Sequence, residues 1–112
     1  MYIFVTIIYN NELMHKLMKK IYEEGYRGSI LPTMGLRSAL LCSTDDEPAP
    51  IFGSLSKLIE SEPTQHPALF IILKNADKVE TLKQLVKDYL KELKGKGFMF
   101  AFPVSFVEGI EI

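Results

Sequence analysis

Three separate stretches of this chain are apolar on both of their alternating residue sets, and this limits the fold more than any other feature. Residues 1–9 read Met-Tyr-Ile-Phe-Val-Thr-Ile-Ile-Tyr, residues 68–73 read Ala-Leu-Phe-Ile-Ile-Leu, and residues 98–106 read Phe-Met-Phe-Ala-Phe-Pro-Val-Ser-Phe. Side chains of a strand point alternately to the two faces of its sheet. β-branched and aromatic runs of this kind therefore predict strands that carry apolar groups on both faces. A sheet built from them needs cover on two sides.

The segments between these runs have helical spacing. Leu13, Met14, Leu17, Met18 and Ile21 fall on one stripe, with Lys16, Lys19, Lys20, Glu23 and Glu24 opposite. Asn10 and Asn11 are suited to cap the helix start, and Gly25 to end it in a left-handed turn. Val79, Leu82, Leu85, Val86, Tyr89, Leu90 and Leu93 make a second amphipathic stripe, which Asn75 or Asp77 can cap and which Gly95 and Gly97 follow. Residues 28–43 predict a strand that is bent or interrupted around Pro32 and Gly35 and resumes over residues 36–42. Residues 44–50, acidic and proline-bearing, read as a loop. Phe52, Leu55, Leu58 and Ile59 have the spacing of a short helix ahead of the break at residues 61–64.

The order is thus strand, helix, strand, insertion, strand, helix, strand. Two strand-helix-strand halves with right-handed crossovers predict an α+β, ferredoxin-like βαββαβ fold. Its four-stranded antiparallel sheet has both helices on one face, with an insertion between strands two and three. The second sheet face is left bare, and self-association is the economical way to cover it. A length of 112 residues suits one domain over residues 1–112.

Composition removes several classes of function. Thirteen basic against fourteen acidic residues give a net charge of −1, which supplies no field for nucleic acid. The single cysteine, Cys42, cannot pair within the chain or build a CxxC site, which points to a reducing compartment. The first residues lack the basic region of a secretory signal, and no apolar run reaches membrane-spanning length. The expectation is a cytoplasmic protein without a membrane span.

Particular residues resemble the PII-like signalling family, trimers of ferredoxin-like subunits that bind nucleotides or other small effectors between subunits. The first helix closes on Glu24-Gly25. Thr33-Met34-Gly35-Leu36-Arg37 is similar to the end of the family's second strand, where its long T-loop departs. Gly95-Lys96-Gly97-Phe98-Met99-Phe100 resembles the glycine-rich B-loop and the strand after it, and Ala101-Phe102-Pro103-Val104 that strand's end. Glu92-Leu93-Lys94 stands where the family carries threonine-glycine-arginine, and no arginine pair follows Pro103. The resemblance implies a homotrimer and an adenine nucleotide or other small anionic effector in the clefts between subunits. It also implies a readout through residues 43–66 at the T-loop position, where a protein partner would engage.

Two groups of candidate ligand-binding residues follow. The amides of Gly95 and Gly97, with Lys94 and Lys96, would cradle an anion; the same letters also describe a helix cap and a turn with solvated lysines. Thr33, Gly35 and Arg37 would let a ligand approach closely and pair with its phosphate or carboxylate, or would form a bulge with an exposed arginine. No motif of nucleophilic, P-loop or metalloprotease chemistry is present, so the chain reads as a regulator and not an enzyme. An acylphosphatase-like hydrolase would need an arginine-lined anion loop after strand one, which Tyr9-Asn10-Asn11 does not supply. A second reading is a trimeric metal-binding protein of the divalent-cation-tolerance family, which shares the fold and is loosely echoed by Pro103-Val104 and Glu108-Gly109. His15, expected on an exposed helix position, and His66, expected in a loop, lie far apart without a ligand partner at metal spacing. Asp45, Asp46 and Glu47 are acidic loop residues able to meet a hard cation.

Overall fold

The computed structural model describes residues 1–41 and 65–111. Strand β1 (Tyr2–Ile8) leads into helix α1 (Asn11–Glu23), strand β2 (Ser29–Thr33) and a short helix α2 (Leu36–Leu41). Strand β3 (His66–Leu73), helix α3 (Ala76–Leu90) and strand β4 (Gly97–Pro103) follow. The sheet order is β2-β3-β1-β4, and each neighbouring pair is antiparallel. This is the ferredoxin-like α+β fold anticipated from the sequence. The acidic loop at residues 44–50, the short helix at Phe52–Ile59 and Cys42 lie outside the described residues, as does most of the 43–66 insertion.

Local chemistry sets the element ends. The Asn10 side chain accepts from the Leu13 amide and starts α1. At its far end Gly25, with φ +98°, donates to the Tyr22 carbonyl while Tyr26 donates to Ile21, the paired bonds of a Schellman cap. Asn75 caps α3 through the Lys78 amide, so Asp77 is inside the helix. That helix stops at Leu90, before the glycines expected to end it. Lys91 takes the positive φ of 64° instead, and Glu92 donates back to Leu90 in a three-residue γ-turn.

One correction concerns residues 36–42, expected to resume the second strand. Residues 36–41 are helical. Leu36, Arg37, Ala39, Leu40 and Leu41 are strong helix formers and none is β-branched. The chain leaves β2 through Gly35, whose carbonyl accepts from Ala39 to close the first helical turn. A second correction concerns His66, which is the first residue of β3 and pairs with Thr33 of β2.

The core lies between the sheet and the two long helices. Phe4 and Ile8 of β1 and Leu69, Ile71 and Leu73 of β3 meet Met14, Leu17 and Ile21 of α1 and Leu82, Val86 and Leu90 of α3. Thr6 points the same way, fully buried, and its hydroxyl donates to the Phe98 carbonyl at 3.3 Å. Both helices pack over the central strands β1 and β3.

The other sheet face has no layer over it among the described residues. Register places its side chains in rows: Phe102, Ile3 and Ile72; then Phe100, Val5 and Phe70; then Phe98, Ile7, Ala68 and Leu31. Polar groups enter only at the margin, with Ser29 and Thr33 of β2 and His66 at the start of β3. Phe98, Phe100 and Phe102 are 43%, 45% and 46% exposed, and their rings stack in sequence at centroid spacings of 6.2 and 6.1 Å.

Candidate functional site

The register also fixes where the sequence-predicted ligand residues stand. Thr33 ends β2 at one edge of the sheet, and Gly97 begins β4 at the other, opposite Ile8. Both lie at the same end of the sheet, separated by three strand steps of about 4.8 Å, or roughly 14 Å. One subunit therefore does not bring the two candidate groups together.

The Gly95–Gly97 turn is built chiefly from bonds within itself. The amides of Lys96 and Gly97 both donate to the Leu93 carbonyl, at 2.8 and 3.1 Å. The Lys96 carbonyl accepts from Tyr9, and its ammonium donates to the Leu90 carbonyl at 3.3 Å, capping the C-terminal end of α3. These amides are thus spent on the turn. Gly95 takes φ +80° with open space around it, and Lys94 is exposed. Gly97 is required for a different reason: a Cβ there would run into the Ile7 carbonyl oxygen, so glycine lets β4 close on β1.

Around Thr33 the arrangement is more open. Its hydroxyl donates to the His66 carbonyl and ties β2 to the start of β3. A Cβ at Gly35 would meet nothing within 4 Å. Arg37 is exposed in α2 and makes no ion pair among the described residues.

Between the two groups sits a cluster that the sequence did not single out. Asn11 donates through Nδ2 to the Gln65 carbonyl at 3.2 Å, and its Oδ1 lies 3.2 Å from Nδ1 of His66. The His66 ring is 5.7 Å from that of Tyr9, which is 6.5 Å from Phe98. The point where the chain enters β3 is therefore held by Asn11 and Thr33, and the phenylalanine ladder of β4 continues through Tyr9 to His66. The signal in the sequence was the alternation of β3, which puts His66 on the face of Ala68 and Phe70. Reading His66 as a loop residue hid it.

A groove of about 650 Å³ opens at the opposite end of the sheet, where β2 begins only at Ser29 and leaves the last residues of β3 without a neighbour on that side. Its lining includes Tyr26, Arg27, Lys74, Lys78 and Glu111. Burial, and secondarily the Glu24 carboxylate, push the Tyr26 phenol above its ordinary 10.0. Glu24 itself pairs with Lys20 at 3.0 Å, and this bond holds the ammonium above its ordinary 10.5. The described residues contain no cluster of three His, Cys, Asp or Glu side chains able to hold a metal ion. His15 is exposed on α1, remote in sequence from any such group. Among the described residues no helix is long and apolar enough to cross a membrane.

A crystal structure of a functionally unknown protein from Pediococcus pentosaceus ATCC 25745 is similar to this chain. The two match with a TM-score of 0.60 over 97% of this chain and 96% of that one, at 11% sequence identity. At that identity the likeness concerns the fold alone. No family model and no curated protein matches the chain.

Proposed function

We propose that this chain is a PII-like regulatory protein that binds a small effector in the clefts of a homotrimer and reports it through residues 43–66. The observation that carries the reading is the uncovered apolar sheet face together with the placement of the candidate residues. Thr33, Gly35 and Arg37 stand toward one edge and Lys94 with the Gly95–Gly97 turn toward the other, and in the proposed trimer a neighbouring copy would complete each half. The effector is a small anion, such as an adenine nucleotide, met by the Arg37 guanidinium of one subunit and the Lys94 ammonium of the next. Asn11, Thr33 and His66 hold the end of the segment that would be ordered or released on binding, a recognised form of switch. With no cluster of metal-ligating side chains among the described residues, no observation favours the divalent-cation-tolerance reading.

A thermal-shift screen against adenine nucleotides, cyclic dinucleotides, bicarbonate and divalent metals tests this. A ligand at a hundredfold excess over its Kd stabilises the folded state by about 2.7 kcal/mol. The expected result is stabilisation by one anionic class that is lost in Arg37→Ala and in Lys94→Ala. A response to metals alone, or one that both variants retain in full, contradicts it.

A further inference from the structure

We propose that the groove at the far end of the sheet binds a small phosphomonoester with a short aliphatic body, at a site separate from the trimer clefts. Three cationic residues line it, Arg27, Lys74 and Lys78, and none makes an ion pair among the described residues. Arg27 is already held in place: its Nη1 donates to the Tyr26 carbonyl at 3.0 Å, and its guanidinium lies 4.5 Å over the Tyr22 ring. Of the two acids in the lining, Glu24 is occupied by Lys20, which leaves Glu111 as the one carboxylate among the described residues that opposes the three cations. The excess of two positive charges matches a phosphate dianion.

Apart from Ser29 and the Tyr26 phenol, the remainder of the lining is apolar or glycine. Residues 70–73 at the free edge of β3 form its floor where β2 falls short, and Ile110 lines it from the C-terminal segment. Gly28 keeps the wall close to the floor, since a Cβ there would stand 2.6 Å from the Phe70 carbonyl oxygen. An aliphatic body on the floor and a dianionic head among Arg27, Lys74 and Lys78 satisfy both halves of the lining. The chain's own Ile110 and Glu111 present a similar pairing of aliphatic and acidic groups at the rim, so Glu111 competes electrostatically with the head.

The test is an amide chemical-shift titration of the full chain with butyl phosphate, inorganic phosphate and butanol. Saturable shifts from butyl phosphate are expected at residues 25–29, 74–78 and 110–111, with affinity about tenfold above that of inorganic phosphate. The double variant Arg27→Ala, Lys78→Ala weakens binding by about tenfold or more, and Glu111→Gln strengthens it several-fold. All three side chains are exposed, and the spectrum of each variant reports whether it is folded. The absence of saturable shifts, shifts spread over lysines elsewhere, or an affinity indifferent to these variants overturns the proposal. Because the groove lies at the opposite end of the sheet from Thr33 and Gly97, the map distinguishes its failure from failure of the cleft reading.

Discussion

Gly97 and Lys91 bracket the turn between α3 and β4, and each shows how one backbone position constrains the fold. Replacing Gly97 by alanine forces a methyl against the Ile7 carbonyl, so β4 must shift off β1 at its first pair. Gly97→Ala should destabilise the protein by about 1–3 kcal/mol in urea denaturation, as overpacking at a site without slack does. Lys91 carries the opposite fault, a side chain at φ 64° and ψ −47° where glycine is at ease. Lys91→Gly should raise stability by about 1 kcal/mol, strain relief exceeding the entropy glycine adds to the unfolded chain, whereas Lys91→Ala changes little. The sequence offered Gly95 and Gly97 as the helix stop, because composition does not reveal that a lysine takes the positive φ. It also left the Gly95-Lys96-Gly97 turn open between anion cradle and cap. The bonds from Lys96 and Gly97 to Leu93, and from the Lys96 ammonium to Leu90, favour the cap.

At the level of elements, strong periodicity was legible and short segments were not. The stripes of α1 and α3 each place three residues fully in the core, and the runs of β1 and β3 appear as strands within a residue or two of expectation, while β4 ends at Pro103, three residues before the end of its run. The misreading of residues 36–41 arose from treating an apolar run as strand by continuity with β2, although its residue types favour a helix. Strand β4 is the element where sequence and surface disagree most sharply. It is an edge strand that ends on Pro103, yet it holds three stacked phenylalanines in solvent. Each ring exposes roughly 80–90 Å² of a side chain that buries about 200 Å² when covered. Covering all three would be worth on the order of 6 kcal/mol before ordering costs. Phe100→Glu, at the middle of the ladder, should therefore leave the core intact and abolish self-association. Circular dichroism would report the first and sedimentation velocity the second.

For the whole molecule, the decisive relation is between a two-layer subunit and a sheet with two apolar faces. Helices α1 and α3 cover one face. The other presents three rows of aliphatic and aromatic side chains across β4, β1 and β3, with polar groups at the β2 margin and at His66 where β3 begins. Soluble monomers rarely expose contiguous apolar patches beyond a few hundred Å². The proposed trimer would dock at this face and set the edge bearing Arg37 beside the edge bearing Lys94. This bare face was legible from the alternation of three runs alone. The cationic groove was not, because it depends on β2 being too short to reach the end of β3. Static light scattering on the eluting native protein tests the central claim most directly. The account predicts a particle of three times the 12.7 kDa chain mass; a stable particle of 12.7 kDa, with its phenylalanine face in water, would contradict it.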